Sequence, residues 1–255
     1  MNTIKISAAI TVVLLVSVTV LGLSFKKTAD EKVATDNATG FAVVELFTSE
    51  GCSSCPAADV ALETISNTYK ENVYLLGFHV DYWNRLGWKD AFSSSAYSER
   101  QRNYAPLFER DGVYTPQAII NGTEQFVGSE LDKLNSTIKK DLNTAVNSVP
   151  VITANVNSGN VEVSYTVSVN THGVLNIALV QLHAITNVRH GENEGRRLSH
   201  INIVRDFKTV SANNTSGKIK LIIPEGLTAA SCKVIAYTQD TGTFKITGAA
   251  AINLK

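Results

Sequence analysis

The stretch Cys52-Ser53-Ser54-Cys55-Pro56 follows directly on the apolar run Phe41-Ala42-Val43-Val44-Glu45-Leu46-Phe47, and it constrains this chain more than any other feature. The run reads as a buried strand. After it, Ala58, Leu62, Ile65 and Tyr69 recur at +4, +3 and +4, the stripe of a helix with one face on a core. Pro56 suits the first turn of that helix, where its missing N–H is no loss. The cysteines therefore fall between a strand and a helix, with Cys52 at the helix N-terminus. Free amides and the positive end of the helix dipole favour a thiolate there. Two cysteines at this spacing can close a small disulfide ring and open it again.

The N-terminus reads separately from the fold. Ile6 to Phe25 is apolar apart from Ser7, Thr11, Ser17, Thr19 and Ser24, and Lys26-Lys27 follow. Residues 1–25 are expected to be a signal peptide or an uncleaved membrane anchor. Gly22 and Ser24 would permit cleavage after Ser24, and the stretch is also about the ~20 residues that one span needs. Either way the rest of the chain is expected to be exported, secreted or membrane-anchored. Residues 26–40 are polar, lack periodicity and read as a linker. In an exported protein cysteines tend to pair. Cys52 and Cys55 are the natural pair, which leaves Cys232 as a buried, inert thiol in a strand. Lys and Arg number 23 against 23 Asp and Glu, with no basic run, which argues against a nucleic-acid partner.

Beyond the first helix, Val73 to Val80 reads as a second apolar strand, parallel to the first across a right-handed βαβ unit. A polar helix is expected around Ser94 to Phe108, ending near Pro106. Val113-Tyr114-Thr115-Pro116 leads into Gln117 to Ile120. Asn121-Gly122 is a two-residue hairpin turn, with a return strand over Thr123 to Val127. Ser129 and Asp132 open a last helix, with Leu131, Leu134 and Ile138 on one stripe. The order over residues 41–147, β-α-β-α-β-β-α, is that of a thioredoxin fold. From about Val151 the texture changes to alternation, with Val161, Val163, Tyr165, Val167 and Val169 at period two. Further strands are expected at Leu175–Val180, Lys218–Ile223 and Val234–Tyr237. The predicted fold class is thus an α/β thioredoxin-like domain followed, over 150–255, by an all-β sandwich-like C-terminal domain.

Several stretches carry a family resemblance. They are Val44 to Pro56, Phe78-His79-Val80-Asp81-Tyr82-Trp83 through Asp90, Tyr114-Thr115-Pro116-Gln117, and Gly191-Glu192-Asn193-Glu194-Gly195-Arg196 through Val204-Arg205. On these the chain resembles the bacterial exported thioredoxin-like proteins catalogued as domain of unknown function 1223. The resemblance implies a fold and a place in the bacterial periplasm or cell envelope. No activity comes with it. The likeness to the thioredoxin fold also implies a cis bond at Thr115-Pro116. It further implies a buried acid in the first strand that moves protons for the resolving cysteine, a place Glu45 would take.

The chemistry these residues suggest is thiol–disulfide exchange. Cys52, expected to be exposed, would attack, and Cys55 would resolve. Helix-terminal CxxC thiols have pKa values of about 3.5–7.5 against about 8.5 for free cysteine. Ser53 and Ser54 could donate hydrogen bonds to the thiolate. Thr115, Pro116, Trp83 and Trp88 would meet the substrate, although the two tryptophans equally suit a small core closing the Asp81–Trp88 loop onto the sheet. No dissociable cofactor is required, because the electrons reside in the two cysteines. The expected partners are a thiol or disulfide protein substrate, or a small thiol, and a redox partner protein. Two other readings compete. In one, the disulfide is a permanent staple on a partner-binding or assembly module. In the other, Cys52, Cys55 and His79 handle copper(I) or zinc. The polar run His190 to His200 reads as a solvated loop, a domain seal or an anion-binding surface.

Overall fold

Strand β1 (Ala42–Thr48) is buried along its whole length, as a strand must be when both faces of its sheet are covered. The computed structural model describes residues 40–146, 148–168 and 173–255. The apolar N-terminal segment read as a signal peptide or anchor, and the linker up to residue 39, lie outside the described residues. Among the described residues no helix is long and apolar enough to cross a membrane.

From β1 the chain enters α1 (Cys55–Thr68), with Pro56 in its first turn. It returns through β2 (Val73–His79), parallel to β1. Helix α2 (Ser95–Tyr104) is capped by Ser94, whose hydroxyl accepts from the Ala96 N–H. A short 3-10 turn, Ala105–Phe108, takes up Pro106. Strands β3 (Gln117–Ile120) and β4 (Glu124–Val127) form the expected hairpin, and α3 (Leu131–Leu142) follows. Asn121 and Gly122 both have positive φ, 46° and 71°, as that turn requires. A Cβ on Gly122 would also stand 1.9 Å from the Phe244 carbonyl oxygen.

The remaining elements are all strands: β5 (Val151–Asn157), β6 (Asn160–Thr166), β7 (Gly173–Asn187), β8 (Arg197–Ser211), β9 (Ser216–Ile222), β10 (Cys232–Asp240) and β11 (Ile246–Asn253). They do not build a separate sandwich behind a helix-flanked thioredoxin-like domain, and the predicted fold class is corrected here. Eight strands join in one mixed sheet, in the order β11-β10-β7-β8-β2-β1-β3-β4, and the chain is mostly β. The seam is a parallel contact between β2 and β8 at Gly77 and Ile203. Gly77 suits that approach, since a Cβ there would already touch the Asn202 carbonyl oxygen at 3.4 Å. A smaller antiparallel sheet holds β5, β6 and β9.

Three cores follow from this arrangement. One face of the large sheet carries Val43, Phe47, Leu76, Phe78, Val180, Val204 and Tyr237 in a continuous layer with Tyr97 and Tyr104 of α2. The opposite face is divided. Helices α1 and α3 cover the β1 end through Ala58, Leu62, Ile65, Leu134 and Ile138. The three-stranded sheet covers the β7–β10 end through Val161, Val163, Tyr165 and Leu221.

A buried ion pair crosses the first core. Glu45 is fully buried and accepts from Arg100 Nε at 2.7 Å and from Tyr237 Oη at 2.8 Å. The Tyr104 hydroxyl donates to it as well. Burial would depress the Arg100 pKa, but Glu45 outweighs it and the group stays well above its ordinary value. Removing one partner of such a pair leaves an uncompensated charge in the core. Arg100→Met should therefore lower unfolding stability by about 3–5 kcal/mol in urea titration. Adding Glu45→Gln should recover most of that loss.

Candidate functional site

Cys52 and Cys55 are joined in a disulfide, with Cα atoms 5.4 Å apart. The bridge spans the entry to α1. Ser54 occupies the N-cap position, but its side chain does not cap the helix. Its hydroxyl instead lies 3.3 Å from Cys52 Sγ. The turn is held by Cys52 N–H to Ser49 O and Cys55 N–H to Cys52 O, both 3.2 Å. Ser53 and Ser54 are exposed, whereas Cys52 is 1% and Cys55 0% exposed. The expectation of a solvent-reachable Cys52 is thus not met.

The cover comes from far along the chain. Residues 188–196 form the tip of the β7–β8 hairpin, tied internally by Val188 N–H to Arg196 O and Gly195 N–H to Val188 O, both 2.9 Å. At its centre Asn193 is fully buried. Its Nδ2 donates to the Glu50 and Cys52 carbonyl oxygens, each at 2.8 Å. Its Oδ1 accepts from Arg196 Nη1 at 2.7 Å. Beside it the Ser53 N–H donates to Glu192 Oε2 at 2.9 Å, and hydrogen bonds from Ser53 hold the Glu192 carboxyl below its ordinary pKa.

The other walls are the 81–90 loop and the Thr115-Pro116 segment. A Cβ on Gly51 would come within 3.1 Å of Trp83 Cβ, so this tryptophan lies against the CxxC loop. Its Nε1 donates to Thr115 Oγ1 at 2.7 Å. The Thr115–Pro116 bond is cis. The Pro116 carbonyl accepts from Gly128 N–H, and a Cβ on Gly128 would touch both Pro116 and Ala58 of α1. Trp88 Nε1 donates to Glu50 Oε2 at 2.7 Å, and Trp88 borders the hairpin tip at Gly191. Trp83, Trp88, Thr115 and Pro116 therefore do gather around the cysteines.

Glu45 does not. It shares the β1 face of Val43 and Phe47, while α1 packs on Ala42, Val44 and Leu46. Its carboxylate is directed to α2 and β10, away from the disulfide. His79 is also committed elsewhere, with Nδ1 2.7 Å from Asp90 Oδ2. Among the described residues no group of His, Cys, Asp and Glu is placed to hold a metal ion.

Behind the disulfide lies a buried charged cluster that sequence reading missed. Glu50, Asp59, His79, Asp90 and His200 are each at most 8% exposed. His200 Nδ1 is 3.1 Å from Asp59 Oδ2, and its Nε2 is 3.4 Å from Glu50 Oε1. The His79 and His200 rings meet edge to face at 4.9 Å. Burial would lower the His200 pKa, but Asp59 and Glu50 outweigh it and raise it from 6.5 to about 10. Burial likewise pushes Asp90 up. His79 and the amides of Glu50 and Phe92 overcome that and leave its carboxyl below the ordinary value. One sequence signal was present: Asp59 lies four residues after Cys55, on the buried side of α1. Nothing in the sequence assigned Asn193 or His200 to the same place.

A family described as "Protein of unknown function (DUF1223)" matches residues 43–239, which contain every residue of this site. The chain belongs to the DUF1223 family. Among solved structures, DUF1223 in this chain is similar to protein AGR_C_4864 from Agrobacterium tumefaciens. That match has 30% identity and a TM-score of 0.62, over 86% of this chain and 96% of the other. It also resembles HBP35 of Porphyromonas gingivalis at 15% identity and a TM-score of 0.57, over 86% and 77%. That second likeness is one of fold alone. No curated protein matches the chain.

The raised His200 pKa makes stability pH-dependent with a definite sign. A basic group whose pKa is higher in the folded state contributes fully below its unfolded value, and the contribution fades as pH rises through the folded value. The urea midpoint should therefore fall between pH 6.5 and about 10. His200→Gln should remove that part of the slope.

Proposed function

We propose that this chain is an exported thiol–disulfide redox protein whose Cys52–Cys55 pair works beneath a hairpin tip that lifts to admit the substrate. The carrying observation is the closed ring at the start of α1 under a cover held by few contacts. Side-chain hydrogen bonds from Asn193 to the Glu50 and Cys52 carbonyls, and from Ser53 to Glu192, link the tip to the CxxC loop. The tip's own hydrogen bonds are internal, so it can move as a unit without parting β7 from β8. The apolar segment over residues 6–25 supports export to the bacterial envelope or periplasm. The substrate class is a cysteine-bearing envelope protein or a small thiol, with a second redox protein to restore the pair.

In this reading Cys52, in the turn ahead of the helix, receives the attack, and Cys55, the first residue of α1, is released. The Ser54 hydroxyl is placed to hydrogen-bond a Cys52 thiolate. Trp83, Trp88, Thr115 and Pro116 line the approach once the tip has moved. The near-complete burial of Cys52 favours a second reading, a permanent staple on a partner-binding module.

Redox titration of the full-length chain separates the two. A working pair should equilibrate with glutathione or dithiothreitol at a potential above about −300 mV, whereas a staple should lie below it. Asn193→Ala removes two hydrogen bonds of roughly 1 kcal/mol each and should speed reduction about tenfold or more. A potential below that limit, with a reduction rate unmoved by Asn193→Ala, would overturn the redox reading. Cys55→Ser expressed in cells should also trap substrate proteins as mixed disulfides on Cys52, and these should disappear in Cys52→Ser.

A further inference from the structure

The buried cluster behind the disulfide is unexplained by packing alone. Charged groups are seldom buried unless paired, and a buried pair costs desolvation that apolar residues would not. Here three carboxylates and two imidazoles lie together next to a redox pair, which is where strongly perturbed titratable groups acquire a role. Asp59 is the link. It lies four residues after Cys55 on the buried side of α1, and positions so spaced have Cβ atoms about 5–6 Å apart. Its carboxylate faces His200 Nδ1 at 3.1 Å. Helix α1 packs directly on β8, the strand that carries His200.

We propose that Asp59 and His200 form a proton relay to the released cysteine, with Asp59 passing the proton to Cys55 Sγ and His200 supplying it. The inference rests on the redox reading above. In the step, a substrate thiolate attacks Cys52 Sγ. A new sulfur–sulfur bond forms, the Cys52–Cys55 bond breaks, and its electron pair leaves on Cys55. Asp59 gives a proton to that thiolate and takes one from His200. The products are a mixed disulfide on Cys52, a neutral Cys55 thiol and a neutral His200. Charge balances, because one anion and one imidazolium are consumed together. A second substrate thiol then closes the substrate disulfide and leaves the chain reduced.

The direction of transfer follows from the surroundings. Cys55 has no exposure, and burial in a net-negative environment disfavours its thiolate. The groups that face His200 are Asp59 on α1, Glu50 in the loop before it, and His79 on β2 backed by Asp90. Arg205 stacks on Phe92, whose ring also meets His200. His200 acts through Asp59 and is a positioning residue.

The test is the rate of reduction of the oxidised full-length chain by dithiothreitol, expressed per attacking thiolate, as a function of pH. A general acid aiding the leaving group contributes about a hundredfold or more. His200→Gln and Asp59→Asn should each slow reduction by about that factor at neutral pH. In the unaltered chain the rate should stay level and then fall as pH approaches about 10, where His200 loses its proton. Glu50→Gln leaves the relay in place but removes one of the carboxylates that hold the proton on His200, so the falling limb should move to lower pH. A purely structural role predicts the opposite sign, because a loosened site is reduced faster. Rates unchanged or raised in His200→Gln and Asp59→Asn, or a limb unmoved in Glu50→Gln, overturn the relay. A disulfide in the unaltered chain that resists dithiothreitol altogether overturns the redox reading instead.

Discussion

The parallel contact between β2 and β8 determines the site. It is short, with one paired register at Gly77 and Ile203, but it fixes where the β7–β8 hairpin stands. β8 then carries His200 under the start of α1, and the hairpin tip reaches over the CxxC loop to place Asn193 against the Glu50 and Cys52 carbonyls. A Cβ at Gly77 would already be in contact with the Asn202 and Ile201 carbonyl oxygens, so a side chain larger than alanine has backbone directly beside it. The disulfide is local, but its cover and the His200 side of the charges behind it are brought there by one strand pairing across more than a hundred residues of sequence.

The two buried charge groups lie on opposite faces of the same sheet and differ in kind. The Glu45–Arg100 pair is closely networked: Tyr104 and Tyr237 donate to the carboxylate, and Gln239 accepts from Arg100 and donates to Tyr104. Such a closed network specifies how α2 meets the strands and has little left to exchange. The cluster around His200 is more open. Its contact to Glu50 is long at 3.4 Å, and His200 Nε2 and Glu50 Oε1 make no well-aligned hydrogen bond. A buried donor and acceptor held slightly apart can change protonation without dismantling the packing around them. That difference, more than burial alone, is why the proposed relay is placed in the second group and not the first.

Much of the local structure was legible because it rests on local physics. The stripe at Ala58, Leu62 and Ile65, the proline in the first helical turn and the Asn121-Gly122 turn each have a short-range cause. The architecture was not legible. The period-two signal identifies strands but not their partners, and β2 was free to accept β8 on its outer edge. That pairing joins strands of the two expected domains, 41–147 and 150–255, in one wide sheet. Glu45 shows the same limit on a smaller scale. The likeness to the thioredoxin fold implied a buried acid at Glu45 serving the cysteines; Glu45 is buried, but the strand's alternation decides which face it serves. In β1 the odd positions face α2 and the even ones face α1. The buried acid on the α1 side of the sheet is Asp59, contributed by the helix itself and paired with His200.

The cover over Cys52 also bears on specificity. An exposed thiolate at a helix N-terminus reacts with any disulfide that diffuses to it, with selectivity only from surface contacts. A covered one reacts only once the hairpin tip is displaced. In the proposed reading a partner that offers contacts in place of the Asn193 and Glu192 hydrogen bonds reacts faster than a small thiol or oxidant, which must await spontaneous opening. Glu192 and Arg196 are exposed on the tip, so in that reading Glu192, which accepts from the Ser53 N–H, would both tie the tip down and meet a charged partner surface. In the proposed redox reading, burial of the sulfur and use of the sulfur are compatible: a cover that a partner must displace would convert general thiol reactivity into a choice of partner.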